Sequence, residues 1–262
     1  MEQEQHVPVA ESQEPVEIDA NGILALDGTH ASDAELARAR LTAEFLEALL
    51  PALVDDAEAA QALYDMAALR AYPLDDPTAA LEALRAAFAR RPAVHIARAY
   101  RKAALQKGTF DDQLAALEGE IRLAPTPAYR AALETERGGL YERAVGNAPA
   151  ARQSYAAAIE INPGDASALL ALLRLALRDG DRAGAAVQCR KIADAVGDPR
   201  VKAEYLAWAG RLYDAAGQRD AALAAAVQAE VHAPESPSVR FLLERLYAAG
   251  DQVRELCALL ER

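Results

Sequence analysis

Side chains able to do chemistry are sparse in this 262-residue chain and far apart. The four histidines, His6, His30, His95 and His232, stand at no metal-ligand spacing with one another or with Cys189 and Cys257. HExxH, GxSxG, CxxC and a glycine-rich phosphate loop are all absent from the sequence. The pairs Asp55–Asp56, Asp75–Asp76 and Asp111–Asp112 lie just ahead of apolar runs, where carboxylates serve as helix N-caps rather than metal ligands. These residues predict no catalytic group, no metal and no cofactor. What remains is basic: Arg174, Arg211 and Arg245 recur at intervals of 37 and 34 residues, with Arg143 and Arg178 about one helical turn further along their own segments. Guanidinium groups in a column attract carboxylates with bidentate geometry. Such arginines also fill the surface of alanine-rich helices, where neighbours such as Glu204 and Asp214 neutralise them. Trp208, the one tryptophan, is either a packing residue or an aromatic anchor for a bound peptide.

The elements that must carry this column are helices. Hydrophobic residues make up 52% of the chain but aromatics only 5%, so alanine and leucine supply the rest. Alanine has the highest helix propensity, and a β-sandwich would need more β-branched and aromatic residues. Gly146, Gly180, Gly217 and Gly250 close successive apolar runs at intervals of 34, 37 and 33 residues. A period of this size marks a helical repeat array, in which each unit buries its apolar face only against its neighbours.

Ser32 followed by Glu35 is a capping-box signature, and Pro51 stops the first helix. Caps, prolines and apolar spacing predict helices over 32–50, 56–71, 77–90, 94–107, 110–123, 127–145, 148–161, 165–179, 182–195, 199–216, 219–232, 236–249 and 251–261. Gly108, Gly180, Gly217 and Gly250 are expected to end helices in the left-handed conformation. Residues 1–31, rich in Glu, Gln and Pro, read as a disordered acidic tail with one apolar patch at Ile18, Ile23, Leu24 and Leu26.

The net charge of −12 opposes binding to nucleic acid or to an anionic membrane surface. No apolar run is long enough to span a bilayer, and the acidic N-terminus is unlike a secretory signal, so the cytoplasm is the expected compartment. Cys189 and Cys257 both fall at apolar helix positions and read as small buried hydrophobes in a reducing compartment.

Residues 203–234 resemble a tetratricopeptide repeat (TPR). Leu206, Ala209-Gly210 and Tyr213 follow the W-x2-L-G-x2-Y part of the pattern, and Ala222, Ala226 and Pro234 follow the remainder. Gly210 and Ala222 let two backbones approach closely while Tyr213 fills the space beside them. The skeleton recurs with losses: Gly138, Tyr141, Ala151, Tyr155, Ala158 and Pro163; then Leu169, Leu172, Ala176, Ala185 and Cys189; then Ala80, Leu84, Ala87 and Pro92; then Gly108 and Pro125; and Tyr247.

The resemblance implies an all-α right-handed α-solenoid of antiparallel helix pairs, a tetratricopeptide-like superhelix. An extra helix at 32–55 would precede an array at 56–262, with units at about 56–92, 93–126, 127–163, 164–198, 199–234 and 235–262. A HEAT-like or other α-solenoid is the alternative fold. The resemblance further implies that first helices line a concave groove, placing Arg174, Arg211, Arg245, Arg178, Arg143 and Trp208 where a partner segment binds. The Lys and Asn residues of the chaperone-binding carboxylate clamp are missing.

The expected role is a protein-binding adaptor or assembly scaffold for a protein or peptide partner of acidic character, with no nucleic acid, no membrane and no catalysis. One alternative is self-association through a C-terminal contact surface, since Val253, Leu256, Cys257, Leu259 and Leu260 cover more of the last helix than one buried stripe requires. The other is a non-catalytic regulatory subunit of an enzyme complex.

Overall fold

The structure is a computed structural model and describes residues 31–261; the expected N-terminal tail, with its apolar patch, lies outside the described residues apart from Ala31. Thirteen α-helices and one short 3-10 turn at Leu50–Ala52 make up the ordered elements among the described residues, with no strand. They are α1 Asp33–Leu49, α2 Asp56–Ala71, α3 Pro77–Arg90, α4 Val94–Lys107, α5 Phe110–Leu123, α6 Pro127–Val145, α7 Ala148–Ile161, α8 Ala166–Arg178, α9 Arg182–Ala195, α10 Pro199–Ala215, α11 Arg219–His232, α12 Pro237–Ala249 and α13 Val253–Leu260.

Local chemistry accounts for the boundaries. The Ser32 hydroxyl accepts from the Glu35 amide while the Glu35 carboxylate accepts from Ser32, a complete capping box. Asp55, Asp76, Asp165, Asp181 and Asp198 each cap the next helix with a side-chain oxygen. The third aspartate pair differs from expectation. Asp111 and Asp112 lie inside α5, Thr109 is the cap, and Asp112 completes a capping box with it. Burial opposes charge on Asp112, but hydrogen bonds from Thr109 and the nearby Arg85 outweigh it and hold the carboxyl below its ordinary value.

Gly146, Gly180 and Gly217 do take positive φ at helix ends. Gly108 and Gly250 do not. The chain leaves Gly108 extended because Thr109 must already cap α5, and after α12 the left-handed residue is Asp251 (φ 55°).

Helices stack in chain order as pairs, α2 with α3, α4 with α5, α6 with α7, α8 with α9, α10 with α11 and α12 with α13, each pair resting on the next. The short connections make the partners of a pair antiparallel. The product is an all-α solenoid. Its core is built largely of alanine: Ala185, Ala186, Ala203, Ala207, Ala209, Ala222, Ala226 and Ala229 are fully inaccessible or nearly so. One apolar cluster spans α7 to α13 and a second spans α1 to α5. Between them, α5 and α6 share only Leu117, Ile121, Leu133 and Leu140 as buried apolar side chains.

Gly210 shows what holds a pair together. A Cβ placed there would lie 2.9 Å from Leu242 Cδ2 and 3.2 Å from the Ala222 carbonyl oxygen, so α10 meets both α11 and α12 at this point. The substitution Gly210→Leu is expected to overpack the seam and cost about 1–3 kcal/mol. Urea unfolding measures this, and a midpoint equal to wild type would show that the seam is looser than described.

Candidate functional site

The arginines of the sequence column reach across successive first helices. Arg174 on α8 donates to Glu142 on α6 at 2.6 Å, 32 residues earlier. Arg245 on α12 donates to Asp214 on α10 at 2.7 Å, 31 residues earlier. Glu142 and Asp214 each lie three residues after the column position of their own helix, and the matching residue on α8, three after Arg174, is Leu177, which offers Arg211 no carboxylate. Asp179, the C-cap of α8, is paired with Arg152 and with Arg178, the latter at 3.6 Å. Arg211 therefore makes no ion pair or hydrogen bond among the described residues and is exposed. Asp214 neutralises Arg245 rather than Arg211, and Glu204 accepts hydrogen bonds from Ser236 and Ser238 on the next repeat at 3.3 and 3.0 Å.

Glu142 is the hub of the α6–α8 contact. Besides Arg174 it lies 4.0 Å from Arg178 and accepts from the Tyr155 hydroxyl at 3.2 Å. Burial first, and then the adjacent Glu142 charge, raise the Tyr155 hydroxyl above the ordinary tyrosine value, so it remains a donor. Two of the three predicted rungs are thus spent on neighbouring carboxylates, as is Arg178. Arg143 on α6 has no ion pair or hydrogen bond among the described residues. Trp208 is half-buried, packed against the main core and stacked on Tyr205 with ring centroids 6.3 Å apart. This is a packing role on the accessible edge of α10.

The predicted C-terminal surface divides. Val253 and Leu260 are exposed, at 64% and 56%, and Leu256 is half-buried. Leu259 belongs to the core, which corrects its assignment to a contact surface; α13 turns that side chain inward. Cys257 is exposed, contrary to expectation, because the opposite side of this short helix has nothing packed on it. Cys189 is buried as expected, and desolvation pushes its thiol up to about 12 despite the opposing charge of Arg211.

A polar cluster between α4, α5 and α6 was not anticipated. Glu120 on α5 is fully buried. It accepts from Arg101 Nε at 2.5 Å and from the Tyr129 hydroxyl, and lies 3.5 Å from Arg98. Arg101 Nη1 also reaches both oxygens of Glu136 on α6 at 2.9 Å. A neighbouring group, Glu134, Arg137 and Ser154, extends it between α6 and α7. The sequence does carry one signal. Glu120 follows Leu117 by three residues and so falls on the apolar face of α5, where an acid needs partners.

Among the described residues no group of three His, Cys, Asp or Glu side chains is placed to hold a metal ion, and no helix is long and apolar enough to cross a membrane. No protein-family model matches the chain, and no curated protein does. Solved structures are similar to the chain at low identity. YrrB, titled a TPR protein with an unusual peptide-binding site, is 17% identical over 75% of this chain and 96% of its own, with a TM-score of 0.41. PilF of Pseudomonas aeruginosa is 15% identical over 83% of this chain and 100% of its own, at 0.40. A tetratricopeptide repeat protein from Parabacteroides merdae is 14% identical over 87% and 90%, also at 0.40.

What decides the fold is internal: successive helix pairs with Gly210 seated on Ala222 and Gly138 on Tyr155, the two small-residue contacts that the repeat pattern demands. The fold is tetratricopeptide-like. In this TPR-like array the buried polar cluster is a departure, because α5 and α6 are joined by ionic side chains where other repeats use alanine.

Removing Arg101 would leave Glu120 buried with fewer partners. Breaking a buried pair costs about 3–5 kcal/mol, and Arg101 is 24% exposed, so Arg101→Met is expected near the lower end. Thermal and urea unfolding check this, and an unchanged midpoint would mean that Tyr129 and Arg98 suffice.

Proposed function

We propose that this chain is an interaction scaffold that binds an acidic segment of a partner protein along the row of its first helices. One observation carries the reading: Arg211 stands in the same column as Arg174 and Arg245, which meet Glu142 and Asp214, yet the matching residue on the preceding first helix is Leu177 and offers it no carboxylate. A guanidinium carried on a helix without a counter-charge is available to a carboxylate from outside. Arg174 and Arg245 then act as supports that fix the spacing of neighbouring helices. Arg143 is a second free cation further along the row. The net charge of −12 makes this local, geometric recognition rather than long-range steering. The reading contains no catalytic step and leaves the compartment expected from the sequence, the cytoplasm, as part of the same proposal.

Affinity capture with quantitative mass spectrometry tests it, comparing wild type with Arg211→Glu and, as a control, Arg245→Glu. A charge-assisted hydrogen bond is worth about 1.5–3 kcal/mol, so Arg211→Glu is expected to weaken capture of an acid-rich partner about tenfold or more. Arg245→Glu should act less directly. Equal capture by wild type and Arg211→Glu would reject the reading.

A further inference from the structure

The seam between α4, α5 and α6 leaves a pocket of about 210 Å³. Its apolar lining is Leu105, Leu117, Leu140 and Ala144, and its polar lining is Gln113, Arg101, Glu136 and Arg143. The pocket exists because α5 and α6 bury so little apolar surface together, and long ionic side chains hold the helices apart. Leu105 is 53% exposed here, whereas Leu117 is buried. Arg101 is committed to Glu120 and Glu136, so it serves as a wall. Arg143 is not committed. Its guanidinium folds back over Gly139, where a Cβ would lie 2.8 Å from Nη1, so the missing side chain at Gly139 provides its seat. An apolar floor thus adjoins a free, positioned cation.

We infer that this pocket is an anchor subsite for an internal peptide segment in which an aliphatic side chain adjoins an acidic one. The aliphatic group would cover Leu105 and rest on Leu117 and Leu140; the acidic side chain would pair with Arg143. The pocket holds one aliphatic side chain and lies mid-array, with first helices continuing on both sides, so the bound segment runs on past it rather than ending there. Charge complementarity selects the acid, because Glu136 is neutralised by Arg101 and Arg143 has no carboxylate of its own. The inference rests on the scaffold reading and names chemistry at a second point on the same row.

The test is methyl-detected NMR of the full chain with labelled leucine, titrated with the dipeptide N-acetyl-Leu-Glu-amide and with N-acetyl-Leu-Gln-amide. Saturable shifts are expected at the Leu105 and Leu140 methyls with the first, and about tenfold weaker binding with the second. Arg143→Gln should abolish the difference between the two, and Leu105→Asp should abolish both titrations. Both positions are exposed, and unchanged far-UV circular dichroism confirms that each variant folds. No saturable shift in wild type, or equal binding of the two dipeptides, overturns the inference. If the titration fails while Arg211→Glu still loses an acidic partner, the pocket is rejected and the scaffold reading stands.

Discussion

The structure depends on how closely two helix backbones approach. At the seams of the α7–α13 cluster the buried residues are mostly alanine, with glycine at the tightest point, Gly210. Small side chains bring backbones together, and close backbones place each first helix one fixed step from the previous one. That step is what lets Arg174 reach Glu142 and Arg245 reach Asp214 with the same geometry. A larger residue at a seam would change the step and with it every distance along the row. No single core holds the array; each pair is stable only through its neighbours.

The α5–α6 junction obeys a different rule. Its apolar contact is four buried residues, and Glu120, Arg101, Tyr129 and Glu136 complete it. A buried ionic network of this type contributes little net stability but is sensitive to the loss of any member. It also leaves space, and the space is lined by Leu105 and Arg143. The same departure from alanine packing that weakens the seam therefore produces a place where an apolar floor and an unpaired guanidinium meet.

Much of this was legible in the sequence because it is local. The helices expected at 56–71, 77–90, 94–107, 110–123, 127–145, 148–161, 182–195 and 219–232 have the bounds observed, since Asp and Thr caps, Pro at first turns and glycine ends are encoded within a few residues. Gly210 against Ala222 follows from the repeat spacing. What was not legible depends on partners 9 to 35 residues away. The sequence puts Glu120 on the apolar face of α5, but the groups that satisfy it are visible only when Arg101 and Tyr129 are placed beside it. Arg211 looks like Arg174 and Arg245 until their partners, Glu142 and Asp214, are placed and the matching position on α8 proves to be Leu177. Leu259 and Cys257 exchange their expected environments because the rotation of a short last helix is set by packing, not by its own sequence.

The central claim is that stability is local, carried by alanine seams between neighbours and interrupted at the ionic α5–α6 junction. Native-state hydrogen exchange under increasing denaturant measures this directly, because amides that open together share one opening free energy. Two groups of buried amides are predicted, one from α2 to α4 and one from α8 to α11, with separate denaturant dependences and a boundary at α5–α6. A single common opening isotherm for all buried amides from α2 to α12 would contradict the account, because it would mean that one continuous core, and not neighbour-to-neighbour stacking, holds the array together.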